Sequence, residues 1–501
     1  MLKRILCVML CALMMLPALS APAESYQMAG YEEKDSYRSW SSNLFFERMQ
    51  AHSGLAFDYL QSESYEDWQK VKQGFLNPGA DLPDVLFKAA LSPAETMQML
   101  DAGVLIDLAG LIAQHAPNLD ALLNQHPDAL ASIRLPDGRI GALPFINLAP
   151  SHNALWINQD WLTALKLEMP STASELQSVL GALKTGDPNR NGKADEVPLS
   201  FLGAYDLKYL AHAYGLAAND FNVYAQDGQA RYLATQPAFR DFITWCAQLY
   251  REGLLAKDGF STVDTLRRVS DAKSAVTIGA LLAPLPTNVL PVEWLSSYAV
   301  VPPLEYKGGQ VYRSIAPRAT PGAFAITSAC ADPGRMLEWV DYLYSPEGAI
   351  LASAGLEGID YLVDGDGSWR KTSGAEQSSF LTSTAIITGS VPPGVSNDAF
   401  QRRYHDTVVQ RISLELDKLS GIVIDPFPPF SLSADQEAAI GPLQAALGRY
   451  VDESIGRWVI GEWETSDQQF EAFERQLEAL GLHEFMALWQ GVLDQQKEQS
   501  K

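Results

Sequence analysis

The chain has 501 residues, 47% of them hydrophobic, with 60 acidic against 37 basic side chains and a formal charge of -23. That much apolar material can bury large cores in at least two domains or lobes. The acidic balance excludes broad binding to nucleic acid or to an anionic membrane surface, because both need clustered Lys and Arg.

The first residues read as a secretory leader: Lys3 and Arg4, an apolar run over 5–16, then small residues at Ala21-Pro22-Ala23. The run is too short to span a bilayer, so the expectation is cleavage near Glu24 and export to the periplasm or the extracellular surface. Neither Cys7 nor Cys11 sits where a lipid attachment site would need it, and both leave with the leader. Removing Lys3 and Arg4 leaves 35 basic residues and moves the charge to -25. Only Cys246 and Cys330 remain, so disulfides do not hold the fold.

Beyond the leader, short apolar strands alternate with amphipathic helices, the α/β rhythm of helices layered on a largely parallel sheet. The spacing predicts a helix over 37–52, a strand over 55–60, a helix over 65–75 and a buried strand over 82–87. Helices follow over 94–102, stopped by Gly103, and over 108–116. Asp137-Gly138 reads as a hairpin turn between strands at 133–135 and 140–144. A strand over 153–158 is the expected crossing into a second lobe, and Thr172 with Glu175 forms a capping box for the next helix. Apolar residues from Phe239 to Tyr250 fall on one helical face, which makes Cys246 a core residue. Cys330 lies in a turn without a partner or base. Helices over 434–459 and 466–480 close the chain, while Pro392-Pro393-Gly394 and Pro426-Phe427-Pro428-Pro429 mark loops.

The helix ending near Lys184 leads into Asp187-Pro188-Asn189-Arg190-Asn191-Gly192-Lys193-Ala194-Asp195-Glu196. Side-chain oxygens stand at positions 1, 3, 5 and 9, a Gly at position 6 and a carbonyl at Lys193, the arrangement that wraps calcium. Pro198 occupies position 12, where an EF-hand has its bidentate Glu, so Glu196 would close the cage and a two-helix EF-hand is not expected. The alternative is a plain polar turn, since Asp, Asn and Gly favour turns anyway.

Several segments in one order resemble the extracellular solute-binding proteins of ABC transporters, in the large branch that takes up carbohydrates. They are Leu82 to Val85, Asp101 to Leu108, Asp137 to Pro144, Trp156 to Leu162, the loop at 187–196, Asp341 to Gly348 and Gly355 to Tyr361. The resemblance implies a two-lobed, type II-like periplasmic-binding-protein fold with the solute in the cleft between lobes that close by hinge motion. It implies lobe 1 over 24–150 with 310–375 returning to it, lobe 2 over 151–309, and a mainly helical region over 376–501 on lobe 2 and the hinge. It also implies a structural calcium held by Asp187, Asn189, Asn191, the Lys193 carbonyl, Asp195 and Glu196, an oligosaccharide ligand, permease partners, and action as a monomer.

Sugars stack on aromatic rings while polar side chains take their hydroxyls. Trp40, Trp294, Tyr361 and Trp369, chosen from polar or loop surroundings, are the candidate rings; Trp156 and Trp161 are expected to pack. Rival readings are a carboxylate-pair glycoside hydrolase, a secreted sensor or adhesin, and a peptide receptor. Against an enzyme stand the absence of G-x-S-x-G and H-E-x-x-H and the scatter of seven His from His52 to His483.

Overall fold

A computed structural model describes residues 24–32, 39–149, 153–262, 277–313, 317–372, 384–387, 389–419 and 421–499. The leader lies outside them. Two sheets organise these residues. The larger has six strands in the order Gly394–Val395, Leu143–Ile146, Ala319–Ile326, Val85–Phe87, Glu24–Tyr31, Leu55–Ser62. Strand Ala319–Ile326 is antiparallel to both neighbours, and the other five run the same way. Its ladder shifts register between Thr320 and Phe324. Gly322 (φ +77°) is required there, because a Cβ would lie 1.9 Å from the Leu91 carbonyl oxygen.

The smaller sheet has the order Tyr298–Val300, Ala154–Asn158, Ile278–Ala283, Val197–Ser200, with only Ile278–Ala283 and Val197–Ser200 paired in parallel. Segments near 147–153, 301–318 and 396–425 connect the two sheets, and Tyr312–Arg313 pairs in parallel with Val423–Ile424 among them. No helix among the described residues is long and apolar enough to cross a membrane.

Each sheet is covered on both faces, as the two-residue period of a strand allows. In the larger one, Met28, Val85, Phe87 and Phe324 pack under Trp40, Phe46 and Trp339, while Ala29, Leu86 and Ala325 face Trp68, Met99 and Leu100. In the smaller one, Leu155, Ile157 and Leu282 meet Phe239, Phe242 and Cys246, while Trp156 and Leu281 face the other way. Leu447, Val451, Ile455, Trp458, Phe473 and Trp489 of the C-terminal helices join the core of Leu155. Upstream of them, Ile386 and Val395 belong to the core of the larger sheet.

Several local expectations need correction. The helix read over 37–52 is a short 3-10 turn, Trp40–Ser42, followed by Leu44–Ser53, because Asn43 caps the latter by accepting from the Phe45 N–H. At Asp137-Gly138 the turn forms, with the Gly138 N–H donating to the Leu135 carbonyl at 2.9 Å, but no hairpin strands flank it. Ile133 instead ends a helix, Pro127–Ile133, which with Pro117–Gln125 starts at a proline whose fixed φ suits a first helical turn. Thr172 caps its helix, yet Glu175 reaches Ser171 and not the N-cap amide, so the box is only half made. A third C-terminal helix, Leu482–Gln499, follows Asp467–Ala479.

Candidate functional site

Ligands of open α/β sheets gather beyond the carboxyl ends of parallel strands. In the larger sheet those ends deliver Glu32 and the segment Lys88–Leu91. Lys88, fully buried, places its Nζ 2.5 Å from Glu32 Oε2, which also accepts from Trp40 Nε1 at 3.3 Å. Burial pushes the Glu32 carboxyl up and the Lys88 ammonium down, each partly offset by the other. Lys88 (φ 51°) and Ala90 (φ 45°) are left-handed without being glycine, at about 1–2 kcal/mol each. The turn is clamped by Trp68 Nε1 to the Ala89 carbonyl (2.6 Å), Lys72 Nζ to the Ala90 carbonyl (3.2 Å) and Leu91 N–H to the Gly322 carbonyl (3.1 Å).

The corresponding ends of the smaller sheet present Leu202, Tyr205, Asp206 and Tyr209, with Asn153 entering the neighbouring strand. Asp206 accepts from the Leu202 N–H (2.7 Å) and from Asn153 Nδ2 (3.1 Å), and burial pushes its carboxyl up to about 6. Tyr205, 43% exposed, packs edge-on against Tyr209 with centroids 5.6 Å apart. The Arg313 guanidinium lies 4.3 Å from the Tyr209 ring and 5.5 Å from that of Tyr205. Next to it the connecting segments enclose a cavity of about 290 Å³ between the two sheets' domains, walled by Phe221, Pro317, Pro321, Phe427, Phe430 and charged side chains. The arrangement offers an aromatic platform with polar groups beside it.

The four rings chosen from sequence are not brought together. Trp40 is 1% exposed and packed among Phe46, Tyr59 and Phe87. Tyr361 and Trp369 fill a satellite cluster with Phe400, ring centroids 5.1 and 4.6 Å from it. These three rings offer no open face, because polar neighbours in sequence do not prevent packing by residues far along the chain. Trp294 sits in the 3-10 segment Val292–Ser297 that connects strands Ile278–Ala283 and Tyr298–Val300, half-buried, its Nε1 without an acceptor. Trp156 and Trp161 are buried as expected. Tyr205, which was not among the chosen rings, stands just after the buried strand Val197–Ser200, in the first turn of helix Gly203–Tyr209.

The loop at 187–196 runs from helix Ala173–Thr185 to strand Val197–Ser200. Asp187, Arg190 and Gly192 adopt positive φ, and the Asn191 N–H lies 3.0 Å from both Asp187 Oδ1 and Asn189 Oδ1. The Gly192 N–H donates to Asp187 Oδ2 at 3.1 Å, and Asn191 Nδ2 to the two Asp195 oxygens at 3.0 and 3.2 Å. Glu196 Oε1 is buried without a partner. Burial first, then the nearby Asp195 and Asp187, pushes the Glu196 carboxyl up. A buried, unpartnered Glu196 oxygen beside Asp187 and Asp195 fits a cation. Among the described residues no three Asp, Glu, His or Cys side chains yet converge on one point, so the set depends on Asn and backbone oxygens as well.

No protein-family model matches the chain. It is 26% identical over 487 residues to the fructooligosaccharide ABC transporter substrate-binding protein FusA of Streptococcus pneumoniae serotype 4 (strain ATCC BAA-334 / TIGR4), spanning 91% of this chain and 87% of that protein. Its fold is similar to an extracellular solute-binding protein from Bifidobacterium longum subsp. infantis (TM-score 0.78, 20% identity, 94% of this chain and 98% of that one). It is also similar to S. pneumoniae FusA in complex with kestose (TM-score 0.67, 22% identity, 95% and 100%). Similar structures include an EF-hand mutant of FusA and alginate-binding protein AlgQ2 without calcium ion. Along nine tenths of its length the chain is similar to an ABC transporter substrate-binding protein, its two-lobed α/β fold is similar to that of solved solute-binding proteins, and the relatives found are binding proteins and not enzymes.

Proposed function

We propose that the protein is the exported receptor of an ABC importer, capturing an oligosaccharide between its lobes and delivering it to the permease. Lobe 1 comprises 24–150 with 310–375 and, contrary to the expected boundary, also the segment around Ile386 and the strand Gly394–Val395, lobe 2 comprises 151–309, and the helices from Ala434 onward support lobe 2. The reading rests above all on Tyr205: an exposed ring beside Asn153, Asp206 and Arg313, just past the end of strand Val197–Ser200, in a homologue of a fructooligosaccharide receptor. A sugar's C–H face would lie on the Tyr205 ring while Asn153 and Asp206 take its hydroxyls. Tyr209 and Arg313 hold the platform in place. Closure then excludes water and strengthens those hydrogen bonds.

In lobe 2 the residues that would hold calcium are Asp187, Asn189, Asn191, Lys193 through its carbonyl, Asp195 and Glu196. Bound there, the ion neutralises the clustered carboxylates and ties the end of one helix to the next strand. The EF-hand mutant of FusA and the calcium-free AlgQ2 structure support a metal loop in proteins of this fold. Titration calorimetry with neutral fructooligosaccharides, milk oligosaccharides and N-glycans tests solute capture. The expected result is saturable one-to-one binding of at least one glycan without product formation; hydrolysis of the bound glycan, or binding of none, would sink the proposal.

A further inference from the structure

Among the described residues, the cavity between the lobes is lined by five charged side chains: Asp128, Asp220, Asp425, Arg313 and Arg318. Both cations are already engaged. Arg318 sets its Nε 2.7 Å from Asp128 Oδ2 and its Nη1 3.4 Å from the Leu148 carbonyl. Arg313 donates from Nη1 to the Ala218 carbonyl at 2.6 Å, holds Nη2 3.1 Å from Asp220 Oδ1 and covers the Tyr209 ring. Its Nε and Nη2 form no hydrogen bond, so the guanidinium keeps donors that suit a hydroxyl or ring oxygen.

Asp425 differs from the other two carboxylates. No described Lys or Arg forms an ion pair with it, and Arg318 only partly offsets the upward push that burial and Asp128 exert on its carboxyl. It follows the strand Val423–Ile424 and precedes Pro426, whose carbonyl is fixed by the Ala225 N–H at 2.9 Å. The segment that carries the carboxylate is thereby held against the cavity by strand pairing and by proline. An anionic solute entering here meets three carboxylates against two guanidiniums that already face carboxylates, an excess negative charge that solvent screens in part because Asp425 and Asp220 are exposed. A neutral solute meets an acceptor for its hydroxyl hydrogens.

We propose that Asp425 sets the charge class of the solute, admitting uncharged oligosaccharides and rejecting those built from uronic acids. This rests on the cleft being the solute site, as proposed above. The test is calorimetry at pH 7.5 on the full chain and on Asp425→Asn and Asp425→Glu. The probes are a neutral panel (kestose, nystose, a neutral milk oligosaccharide) and an acidic panel (trigalacturonate, an alginate trimer). The wild type should bind its best neutral glycan at least 100-fold more tightly than either acidic trimer. Asp425→Asn should narrow that ratio at least tenfold, and Asp425→Glu should restore it. An acidic trimer bound as tightly as any neutral glycan, or a ratio unmoved in Asp425→Asn, overturns the assignment while leaving solute capture intact. Binding of no glycan in either panel overturns both.

Discussion

Replacing Lys88 by Met tests whether the buried pair at the lobe 1 strand ends is a charge pair or merely a packed contact. At 2.5 Å the attraction between Lys88 Nζ and Glu32 Oε2 is about 6–7 kcal/mol at an effective dielectric of 20. Desolvating two ions consumes most of that, so the intact pair contributes little net stability. Removing one partner leaves the other buried and unpaired, which costs about 3–5 kcal/mol. Met keeps the stem volume, and Glu32 retains Trp40 Nε1 as a donor. The Glu32 carboxyl, already raised by burial, then rises further. A carboxyl raised in the folded state destabilises it in full above the folded pKa, and the penalty fades as pH falls from there to the unfolded pKa. The deficit of Lys88→Met should therefore shrink as pH falls from 8 toward 5. In the double variant Glu32→Gln, Lys88→Met, most of the loss should disappear at both pH values. Urea denaturation followed by tryptophan fluorescence reports all three. A Lys88→Met deficit below about 1 kcal/mol at pH 8, or one equal at pH 8 and pH 5, would refute the reasoning.

Other outcomes follow from the same geometry. His212 is buried beneath Tyr209, its Nδ1–H donating to the Tyr209 carbonyl, and burial pulls its pKa down to about 4. Its ordinary value is about 6.5, so the folded protein should lose up to about 3 kcal/mol as pH falls from 6.5 to 4; His212→Gln should flatten that part of a pH–stability profile measured by denaturation. Tyr205→Ala should weaken the best glycan by about 1 kcal/mol, roughly fivefold, at an unchanged thermal midpoint. Tyr361→Ala, 7% exposed in its cluster, should instead cost about 3–5 kcal/mol of stability with unaltered glycan affinity; equal effects on affinity would contradict the placement. Chelation should lower the midpoint seen by scanning calorimetry, by an amount equivalent to about 2.7 kcal/mol when calcium had stood at a hundred times its Kd. Asp187→Ala should abolish the calcium dependence.

The chain itself determined much of this fold, wherever the physics is local. Helix and strand periods place Leu55–Ser62, Tyr65–Gly74, Pro237–Arg251 and Ala434–Val459 close to their expected bounds, because apolar spacing and caps act within a few residues. The loop at 187–196 was delimited for the same reason, and it lies as expected between helix Ala173–Thr185 and strand Val197–Ser200. Short strands at 143–146 and the helix Pro127–Ile133 were misread, since an apolar run of four to seven residues carries no decisive period.

Which aromatic rings meet solvent was decided only by tertiary packing. Trp40 has three serines around it yet is sealed by Phe46 and Phe87, and Trp369 follows a polar turn yet stacks on Phe400. Tyr205 and Arg313, 108 positions apart, meet because the strand Tyr312–Arg313, paired with Val423–Ile424, passes the loop after strand Val197–Ser200. Burial of a side chain depends on contacts from distant parts of the chain, and no local pattern of residue types carries that information.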